Sequence, residues 1–364
     1  LTQVGILFAI YSTASMVGAF ISGAITDKFG RRSMLLFGLI ASATSSVLMG
    51  IVNDLEVFFM LAAVVGLLSN SGGPAQQAMI ADILPADKLT EGYGLNRVVF
   101  NISAAVGPAI GGILASVNFL WLFLFDAATS LITALIVYLV ISETKPEADE
   151  HVAGQSFKQT IAGYGNVLRD IPFMMYFVFS MLASVVYVQV NSSLPVFLND
   201  QHNISPVAYG SLLSLNAVMV VALQFWITRR LKNRQPMRMM ALGTLLYAIG
   251  FGMFGLGSVY AYFVFAMIVI TIGEMILAPF AQSLVAQFSP ADMRGRYMAT
   301  FSLTWGIAFA IGPLLAGFIT EGLGPNWVWF LSFGVGLVSV FGYLWLQTQQ
   351  SNRLQHADLS SNTE

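Results

Sequence analysis

The chain has 364 residues and a formal net charge of −2, and 57% of its residues are hydrophobic whereas only 9% are charged. Soluble proteins carry about 25% charged residues, so this composition excludes a soluble globular protein and predicts an integral membrane protein that does not bind nucleic acid. The sequence contains no cysteine, which excludes disulfides, thiolate metal sites and a cysteine nucleophile.

Eleven mostly apolar segments are long enough for a spanning helix, which needs about 20 residues. In chain order they are 3–25, 33–52, 56–80, 94–117, 120–141, 172–198, 206–228, 239–257, 260–287, 297–320 and 327–347. Leu1 is not Met and the first apolar segment begins almost at once, which indicates a missing start of the chain rather than a signal peptide. The sequence therefore predicts an all-α membrane protein.

Lysine and arginine residues cluster in alternate connections between these segments. With the 23–32 connection placed in the cytoplasm, fifteen of the sixteen basic residues fall on the cytoplasmic side, and the remaining one, Arg97, lies inside a segment. Cytoplasmic loops of membrane proteins carry this excess of positive charge. We therefore predict a multi-pass protein of a bacterial inner (plasma) membrane, with its linker and its C-terminus in the cytoplasm.

The first connection is short and highly charged, with the sequence GAITDKFGRR from Gly23 to Arg32. Gly23 and Gly30 allow close backbone packing and a change of direction, and Asp27 can accept hydrogen bonds from backbone or arginine donors. The basic residues of the connection are Lys28, Arg31 and Arg32. These features predict a conformational hinge, and a simple basic anchor is the alternative.

The fourth segment carries an arginine, Arg97, one turn before Asn101. Arg97 could extend to the membrane interface, or it could belong to a polar face that borders a central cavity. In the second case it would pair with an acidic residue or hold a substrate anion. We include Arg97 among the candidate proton-coupling residues and Asn101 among the candidate cavity residues.

The same segment contains the motif Gly107-Pro108-x-x-Gly111-Gly112. Proline removes a backbone donor and bends the helix, and the glycines allow a neighbouring helix to come close. The motif predicts either a tight helix crossing or a functional bend. Asp126 follows near the outer end of the fifth segment, where an acid complements a helix N-terminus or takes part in proton coupling.

The longest polar stretch, 143–170, divides the apolar segments into an N-terminal part (1–142) and a C-terminal part (171–347), followed by a polar tail (348–364). Pro85-Ala86-Asp87 recurs 205 residues later as Pro290-Ala291-Asp292, and the motif beginning at Gly107 recurs at the same offset from Gly312. Equal offsets indicate a parallel duplication. The offset places the counterpart of the sixth segment upstream of Leu1, so we number the segments as helices 2 to 12 of two six-helix halves.

Several polar side chains lie inside the C-terminal segments. Helix-to-helix hydrogen bonds explain them as well as contacts to a substrate in a central cavity do. The candidate cavity residues of this part are Tyr187, Gln189, Asn191, Asn216 and Gln224.

Glu274 lies near the centre of the ninth segment, with no other charged residue between Met239 and Ala291. Ionisable side chains are costly inside a bilayer and are therefore functional candidates. The protonation of this carboxylate should respond to whether water or a cation reaches it, as a proton-coupling site requires. A neutral Glu that hydrogen bonds to a neighbouring helix is the alternative.

The Gly23–Arg32 connection resembles the signature loop G-x-x-x-D-x-x-G-R-R of major facilitator superfamily transporters, and the Gly107–Gly112 motif resembles the antiporter motif in helix 5 of drug:proton exporters. The resemblance implies the major facilitator fold. It also implies that Asp27 faces the N-terminus of helix 11, and that Arg31 and Asp82 join a charge network that stabilises the outward-facing state. Ala62 stands where many such antiporters have an arginine, so the proton relay differs or Arg97 supplies that charge.

These observations predict a proton-coupled exporter of small hydrophobic or amphipathic compounds that works by alternating access. The alternative on the same fold is a proton symporter or uniporter for a sugar, an organic acid or another small metabolite. We find no enzyme motif, and the three histidines (His151, His202 and His356) lie in polar stretches, so we predict no metal site and no cofactor. The predicted partners are a small-molecule substrate, protons and the lipid bilayer, and we expect a monomer.

Overall fold

The computed structural model describes residues 2–52, 54–69, 71–145 and 163–361, and within these ranges it consists of helices and short connections, without a strand. The helices are α1 (Thr2–Phe29), α2 (Arg31–Ile51), α3 (Leu55–Ser69), α4 (Gly73–Ile83), α5 (Leu89–Val117), α6 (Phe119–Val140), α7 (Tyr164–Arg169), α8 (Ile171–His202), α9 (Pro206–Leu231), α10 (Pro236–Phe254), α11 (Tyr260–Phe288), α12 (Arg294–Leu323) and α13 (Asn326–Ser361). Short 3₁₀ turns at Ala86–Lys88 and Ala291–Met293 lead into α5 and α12.

Ten of the eleven predicted segments correspond to one helix each, whereas the segment predicted at 56–80 is divided into α3 and α4. The division follows from the local sequence, because Gly72 and Gly73 weaken a helix and Pro74 is favoured in a first helical turn. Most of the predicted linker, including His151, lies outside the described residues. The predicted polar tail continues α13 as far as Ser361.

Nine helical stretches in the described ranges are long and apolar enough to cross a bilayer, and α3 with α4 forms one of them. The other two predicted segments correspond to α1 and α5, which have 28 and 29 residues. The prediction of an all-α membrane protein is therefore confirmed.

The chain forms two compact units, and each includes a segment from the other half of the sequence. The first unit comprises Leu1–Leu89, Ser103–Arg169 and Val285–Gly306, and the second comprises Thr90–Ile102, Asp170–Leu284 and Ile307–Glu364. The start of α12 thus belongs to the first unit and the start of α5 to the second. The division into N-terminal and C-terminal functional halves stays a prediction.

Helix packing within each unit is dominated by a few pairs. In the first unit, α1 packs against α3 and α2 packs against α6. In the second unit, α10 packs against α13, and the fully buried Trp329 of α13 contacts the rings of Phe197 and Phe254 at centroid distances of 5.1 and 5.2 Å. This aromatic core fixes the positions of α8, α10 and α13.

Candidate functional site

In the second unit, the carboxylate of Glu274 is buried and accepts hydrogen bonds from three helices. Glu274 lies in α11 and is 5% exposed. Tyr187 Oη of α8 and Asn216 Nδ2 of α9 donate to its two oxygens, each over 2.6 Å, and the guanidinium of Arg97 in α5 forms a salt bridge with it. The structure thus brings together four predicted site residues, which we call the Glu274 cluster.

The Glu274 cluster is a charge pair surrounded by neutral polar groups. Asn216 also donates to Thr271 Oγ1 over 3.0 Å, and the ring of Tyr247 stacks on Tyr187 at 5.4 Å. A buried ion pair is tolerated when both charges are satisfied, whereas the loss of one charge leaves the other unpaired in a medium of low dielectric constant. Protonation of Glu274 would therefore destabilise the position of Arg97.

Two predicted cavity residues instead connect helices. Gln189 Nε2 of α8 donates to the carbonyl oxygen of Gly312 in α12 over 3.1 Å. Gln224 Nε2 of α9 donates to the carbonyl oxygen of Met275 in α11 over 2.8 Å. The two amides therefore have helix-to-helix contacts and do not contact Glu274.

Two further predicted cavity residues, Asn101 and Asn191, also lie outside the Glu274 cluster. Asn101 Nδ2 donates to the carbonyl oxygen of Arg97 over 3.0 Å, within α5. Asn191 is exposed on α8. Asn101 thus supports the backbone that carries Arg97, and a role for Asn191 in a cavity stays a prediction.

Asp126 belongs to the first unit, so the structure does not place it in the Glu274 cluster. Its carboxylate accepts a hydrogen bond from Ser46 of α2, while the N-terminus of α6 is capped by Asn118, whose side chain accepts from Leu120 N over 2.8 Å. Asp126 also borders a cavity of about 470 Å³ that is lined mainly by hydroxyl groups. The other lining residues are Tyr11, Ser15, Ser42, Ser45, Ser46 and Val65.

The Gly107–Gly112 motif lies within α5. Apart from the neighbouring backbone of α5 itself, no atom of the described residues lies within 4 Å of the position that a Cβ would occupy at Gly107, and at Gly111 the nearest such atom is a methyl carbon of Leu122 at 3.8 Å. The surroundings of Pro108 and Gly112 lie outside the described part of the structure. A tight helix crossing at this motif is therefore not seen in the described residues.

The contacts of the predicted hinge in the first unit are centred on Asp27, at the end of α1. Its carboxylate accepts the backbone N–H groups of Gly295 and Arg296 over 2.8 and 3.1 Å. These groups belong to the first turn of α12, where unpaired N–H donors and the helix dipole favour an anion. Arg31 and Arg296 each lie 3.6 Å from the same carboxylate, so this contact joins the first and second halves of the sequence.

Arg31 extends the hinge to two further segments. Its fully buried side chain donates from Nε to Asp82 Oδ2 over 2.9 Å and from Nη2 to the carbonyl oxygen of Ala291 over 2.8 Å. Arg294, at the start of α12, forms a second salt bridge with Asp82. The three predicted hinge residues Asp27, Arg31 and Asp82 therefore lie in one connected charge network, together with two arginines of α12.

Glycine permits the close approach of α1 to α12 at this point. A Cβ at Gly23 would lie 2.6 Å from the carbonyl oxygen of Gly295, and a Cβ at Gly295 would lie 2.8 Å from Asp27 Oδ1. Both distances are shorter than van der Waals contact allows. Any side chain at either position would push Asp27 away from its backbone donors.

Arg32 has a different role from Arg31. Its guanidinium donates to the carbonyl oxygen of Tyr138 and lies 5.2 Å from the centre of the Tyr138 ring. This contact attaches the start of α2 to α6 by hydrogen bonding and a cation–π interaction. Arg32 therefore has no salt bridge to Asp27 or Asp82 in the described structure.

Two residues of the hinge were not predicted from the sequence. Glu143 accepts the backbone N–H groups of Arg31 over 2.7 Å and Arg32 over 3.2 Å, and thereby caps α2. Gly30 has a φ of +105° there, and a Cβ at Gly30 would collide with the Glu143 carboxylate. Tyr164 donates to the carbonyl oxygen of Phe20 and stacks on its ring, so α7 also contacts the hinge.

The charge of Glu143 predicts a pH-dependent stability. Partial burial raises the pKa of Glu143, but the hydrogen bonds that its carboxylate accepts from backbone N–H groups lower the pKa by more than burial raises it. The pKa of Glu143 therefore lies below the ordinary value of 4.5. Because the folded pKa is depressed, the stabilisation is complete above pH 4.5 and is lost as the pH falls through the folded pKa. We expect Glu143→Gln to lower the melting temperature of the purified protein at neutral pH, and the difference from wild type to shrink in acid.

Glu56→Gln is the matched control, because Glu56 is an exposed acid on α3 and its replacement should leave melting unchanged. A melting difference for Glu143→Gln that stays constant from neutral pH into acid would show that the charge of Glu143 contributes nothing to the cap.

Comparison with known proteins supplies a family for this architecture. The sequence profile described as Major Facilitator Superfamily matches residues 1–257 and 190–361. Among the relatives, a Na(+), Li(+), K(+)/H(+) antiporter of Planococcus maritimus is 25% identical to the chain and covers 94% of it, with 87% of the relative covered. A class H tetracycline resistance protein of Pasteurella multocida is also 25% identical, over 87% of the chain and 79% of the relative.

Among solved structures, the human organic anion transporter MFSD10 superposes with a TM-score of 0.76. The two chains are 20% identical, and the alignment covers 93% of this chain and 83% of the other. This likeness concerns the fold alone.

Proposed function

The chain belongs to the Major Facilitator Superfamily, and we propose that it is a proton-coupled exporter of small hydrophobic or amphipathic compounds. It is a multi-pass membrane transporter of a small-molecule substrate, and not an enzyme. The observation that carries the proposal is the salt bridge between the buried Glu274 and the partly buried Arg97 in the second unit. The tetracycline resistance relative supports efflux as the direction of transport.

Proton coupling follows from the chemistry of this pair. When Glu274 takes up a proton, its negative charge disappears and Arg97 loses its counter-ion inside the protein. Arg97 belongs to α5 and Glu274 to α11, so the pair connects two distant parts of the chain. A ligand or proton shifts a conformational equilibrium only by its different affinity for the two states. The affinity of Glu274 for a proton differs between a state in which Arg97 is its partner and a state in which Arg97 has moved away.

The hinge is the second element of the proposed mechanism. Asp27 and Arg31 join α1 and α2 to the start of α12, and we propose that these contacts form in one state of the transport cycle and break in the other. The positive-inside rule supports a cytoplasmic position of the hinge, and we propose that the membrane is a bacterial inner membrane with the C-terminus on the same side. We propose that one chain performs the whole cycle as a monomer.

A second candidate function is the exchange of an alkali cation for protons. The Planococcus relative is named as an antiporter of alkali cations and protons. The Glu274 cluster supplies a carboxylate, an amide oxygen and the hydroxyl group of Tyr187, and the hydroxyl group of Thr271 lies beside Asn216. Alkali cations prefer such oxygen ligands. Arg97 forms a salt bridge with the carboxylate of Glu274 in the described structure, so a cation would bind only after Arg97 has moved away.

Transport in inside-out vesicles distinguishes these functions. A gradient with an acidic lumen is imposed, and lumenal pH is followed after addition of ethidium, sodium chloride, potassium chloride, xylose or citrate. We expect ethidium to enter while protons leave the lumen. Proton loss with the alkali salts alone would support the second candidate, whereas proton loss only from vesicles that were loaded with xylose or citrate would contradict both and indicate a metabolite symporter.

A further inference from the structure

The start of α5 is held in the second unit by polar contacts that lie outside the Glu274 cluster. Lys232 Nζ, directly after α9, forms a salt bridge with Glu91 Oε1 in the first turn of α5 over 3.0 Å. Beside it, Thr90 Oγ1 donates to Ser283 Oγ of α11 over 3.1 Å, and both of these residues are buried. We call the Glu91–Lys232 salt bridge and the Thr90–Ser283 hydrogen bond together the α5 dock.

The contact between α9 and α5 repeats, with its charges exchanged, the contact that Asp27 makes with α12 in the first unit. The 205-residue offset between the two parts of the sequence relates the residues of both contacts. The pairs of the first unit are Asp27 with Arg296 and Gly23 with Ala299, and their counterparts are Lys232 with Glu91 and Thr228 with Gly94. A Cβ at Gly23 would collide with the Cβ of Ala299, and a Cβ at Gly94 would lie 2.9 Å from Thr228 Oγ1. Glycine therefore permits the close helix approach in both places.

The helix dipole explains why the exchanged charges need Glu91. At α12 the carboxylate of Asp27 lies at a helix N-terminus, where a negative charge is favoured. At α5 the corresponding side chain is the cation Lys232, which a helix N-terminus repels. Glu91 supplies the negative charge that this N-terminus favours and also pairs with Lys232. The two side chains are 24% and 30% exposed, so salt should screen their attraction.

The α5 dock lies on the same face of α5 as Arg97. Thr90, Gly94 and Arg97 follow one another at spacings of four and three residues, which places them on one face of an α-helix. Through this face α5 contacts α11 at Ser283, α9 at Thr228 and α11 again at Glu274. Withdrawal of the start of α5 would therefore take Arg97 away from Glu274.

We propose that Glu91 and Lys232 are positioning residues for the Glu274 cluster. Their salt bridge holds the start of α5 in the second unit and thereby places the guanidinium of Arg97 beside the Glu274 carboxylate. The two residues act through the backbone of α5 and do not themselves bind the transported proton. This inference rests on the proposed function, in which the Arg97–Glu274 pair couples protons to export.

The test measures the docking of α5 directly. The chain has no cysteine, and Ser283 is 0% exposed and contacts Thr90. Ser283→Cys therefore supplies a single thiol that N-ethylmaleimide reaches when the start of α5 moves away. We expect labelling to be about two- to fivefold faster when Lys232→Gln or Glu91→Gln is added, because a partly exposed salt bridge is lost. High salt should accelerate labelling while the salt bridge is intact and should have little effect in these two variants.

Exchange of the two charges tests whether their pairing is what matters. Glu91→Arg combined with Lys232→Asp reproduces the arrangement of Arg296 and Asp27, and it should restore slow labelling. Arg230→Gln is the matched control, because it removes an exposed positive charge from the same end of α9, and it should leave the labelling rate unchanged. Equal labelling rates in all variants would overturn the proposal.

Proton-driven export by the same variants, with Ser283 intact, links docking to the position of Arg97. We expect Lys232→Gln to slow export of ethidium and the charge exchange to restore it. Faster labelling together with unaltered export would overturn the positioning of Arg97 by the salt bridge. Failure of the wild type to export ethidium would instead contradict the proposed function, whereas the labelling rates would still decide whether Glu91 and Lys232 hold α5 in place.

Discussion

Exchange of Glu274 for Gln is expected to abolish proton-driven export while the protein stays folded in the membrane. The glutamine keeps the size of the side chain, and its single carbonyl oxygen can accept from Tyr187 or from Asn216, which donate to different oxygens of Glu274 over 2.6 Å. It cannot gain or lose a proton in the physiological range. Accumulation of substrate against its gradient should therefore fall to the level of protein-free liposomes, as measured by uptake with and without an imposed pH gradient.

A double variant distinguishes loss of proton coupling from loss of folding. Removal of one charge from a buried ion pair costs about 3–5 kcal/mol, whereas removal of both is often tolerated. Arg97→Gln combined with Glu274→Gln should therefore regain any stability lost in the single variant, and should still fail to couple protons. Glu56→Gln should transport as wild type does. Full proton-driven export by Glu274→Gln would remove this residue from the mechanism.

Asp27→Asn is expected to reduce turnover by roughly tenfold or more, because a hydrogen bond to a charged group contributes about 1.5–3 kcal/mol. The asparagine keeps an oxygen acceptor but loses the negative charge that faces the N-terminus of α12 and both Arg31 and Arg296. The state that contains these contacts becomes less populated, so the cycle slows. Transport rate per molecule, with membrane content measured in parallel, gives the result.

Asp87→Asn is the appropriate control for the hinge. Asp87 is an exposed acid in the 3₁₀ turn before α5, within the same unit as Asp27. Its replacement should leave turnover unchanged. If Asp27→Asn also turned over at the wild-type rate, the charge network would be a topological anchor and not part of the cycle.

The major facilitator fold, which the sequence predicts, is confirmed. Its helices could be predicted because a bilayer demands long apolar segments, which hydropathy reveals directly. The interruption between α3 and α4 was not predicted. Its cause is local, since Gly72, Gly73 and Pro74 disturb the helix without making the stretch polar. An average of hydropathy over a window of about 20 residues therefore passes over it.

The members of the Glu274 cluster could be selected from the sequence one at a time, but their contact could not. An ionisable residue inside an apolar segment is conspicuous by itself. Arg97 and Glu274 are separated by 177 positions, and no local pattern indicates which two helices meet. The structure supplies that information.

The polar amides show a further limit of sequence reasoning. Asn216 contacts Glu274, whereas Gln189 and Gln224 connect helices, although all three are amides in apolar segments. Membrane helices are apolar on most faces, so their sequence gives little sign of which face lines a site. Glu143 was missed for another reason, because its partners are backbone N–H groups that every residue other than proline has.

The most direct test of the account asks whether substrate binding displaces a proton from Glu274. Purified protein in weakly buffered solution is mixed with ethidium, and the change in pH is recorded beside the fraction of protein bound. The account predicts that wild type releases protons in proportion to the bound substrate and that Glu274→Gln binds substrate without release. Equal release by both proteins, or substrate binding to wild type without any release, would contradict the central role of Glu274.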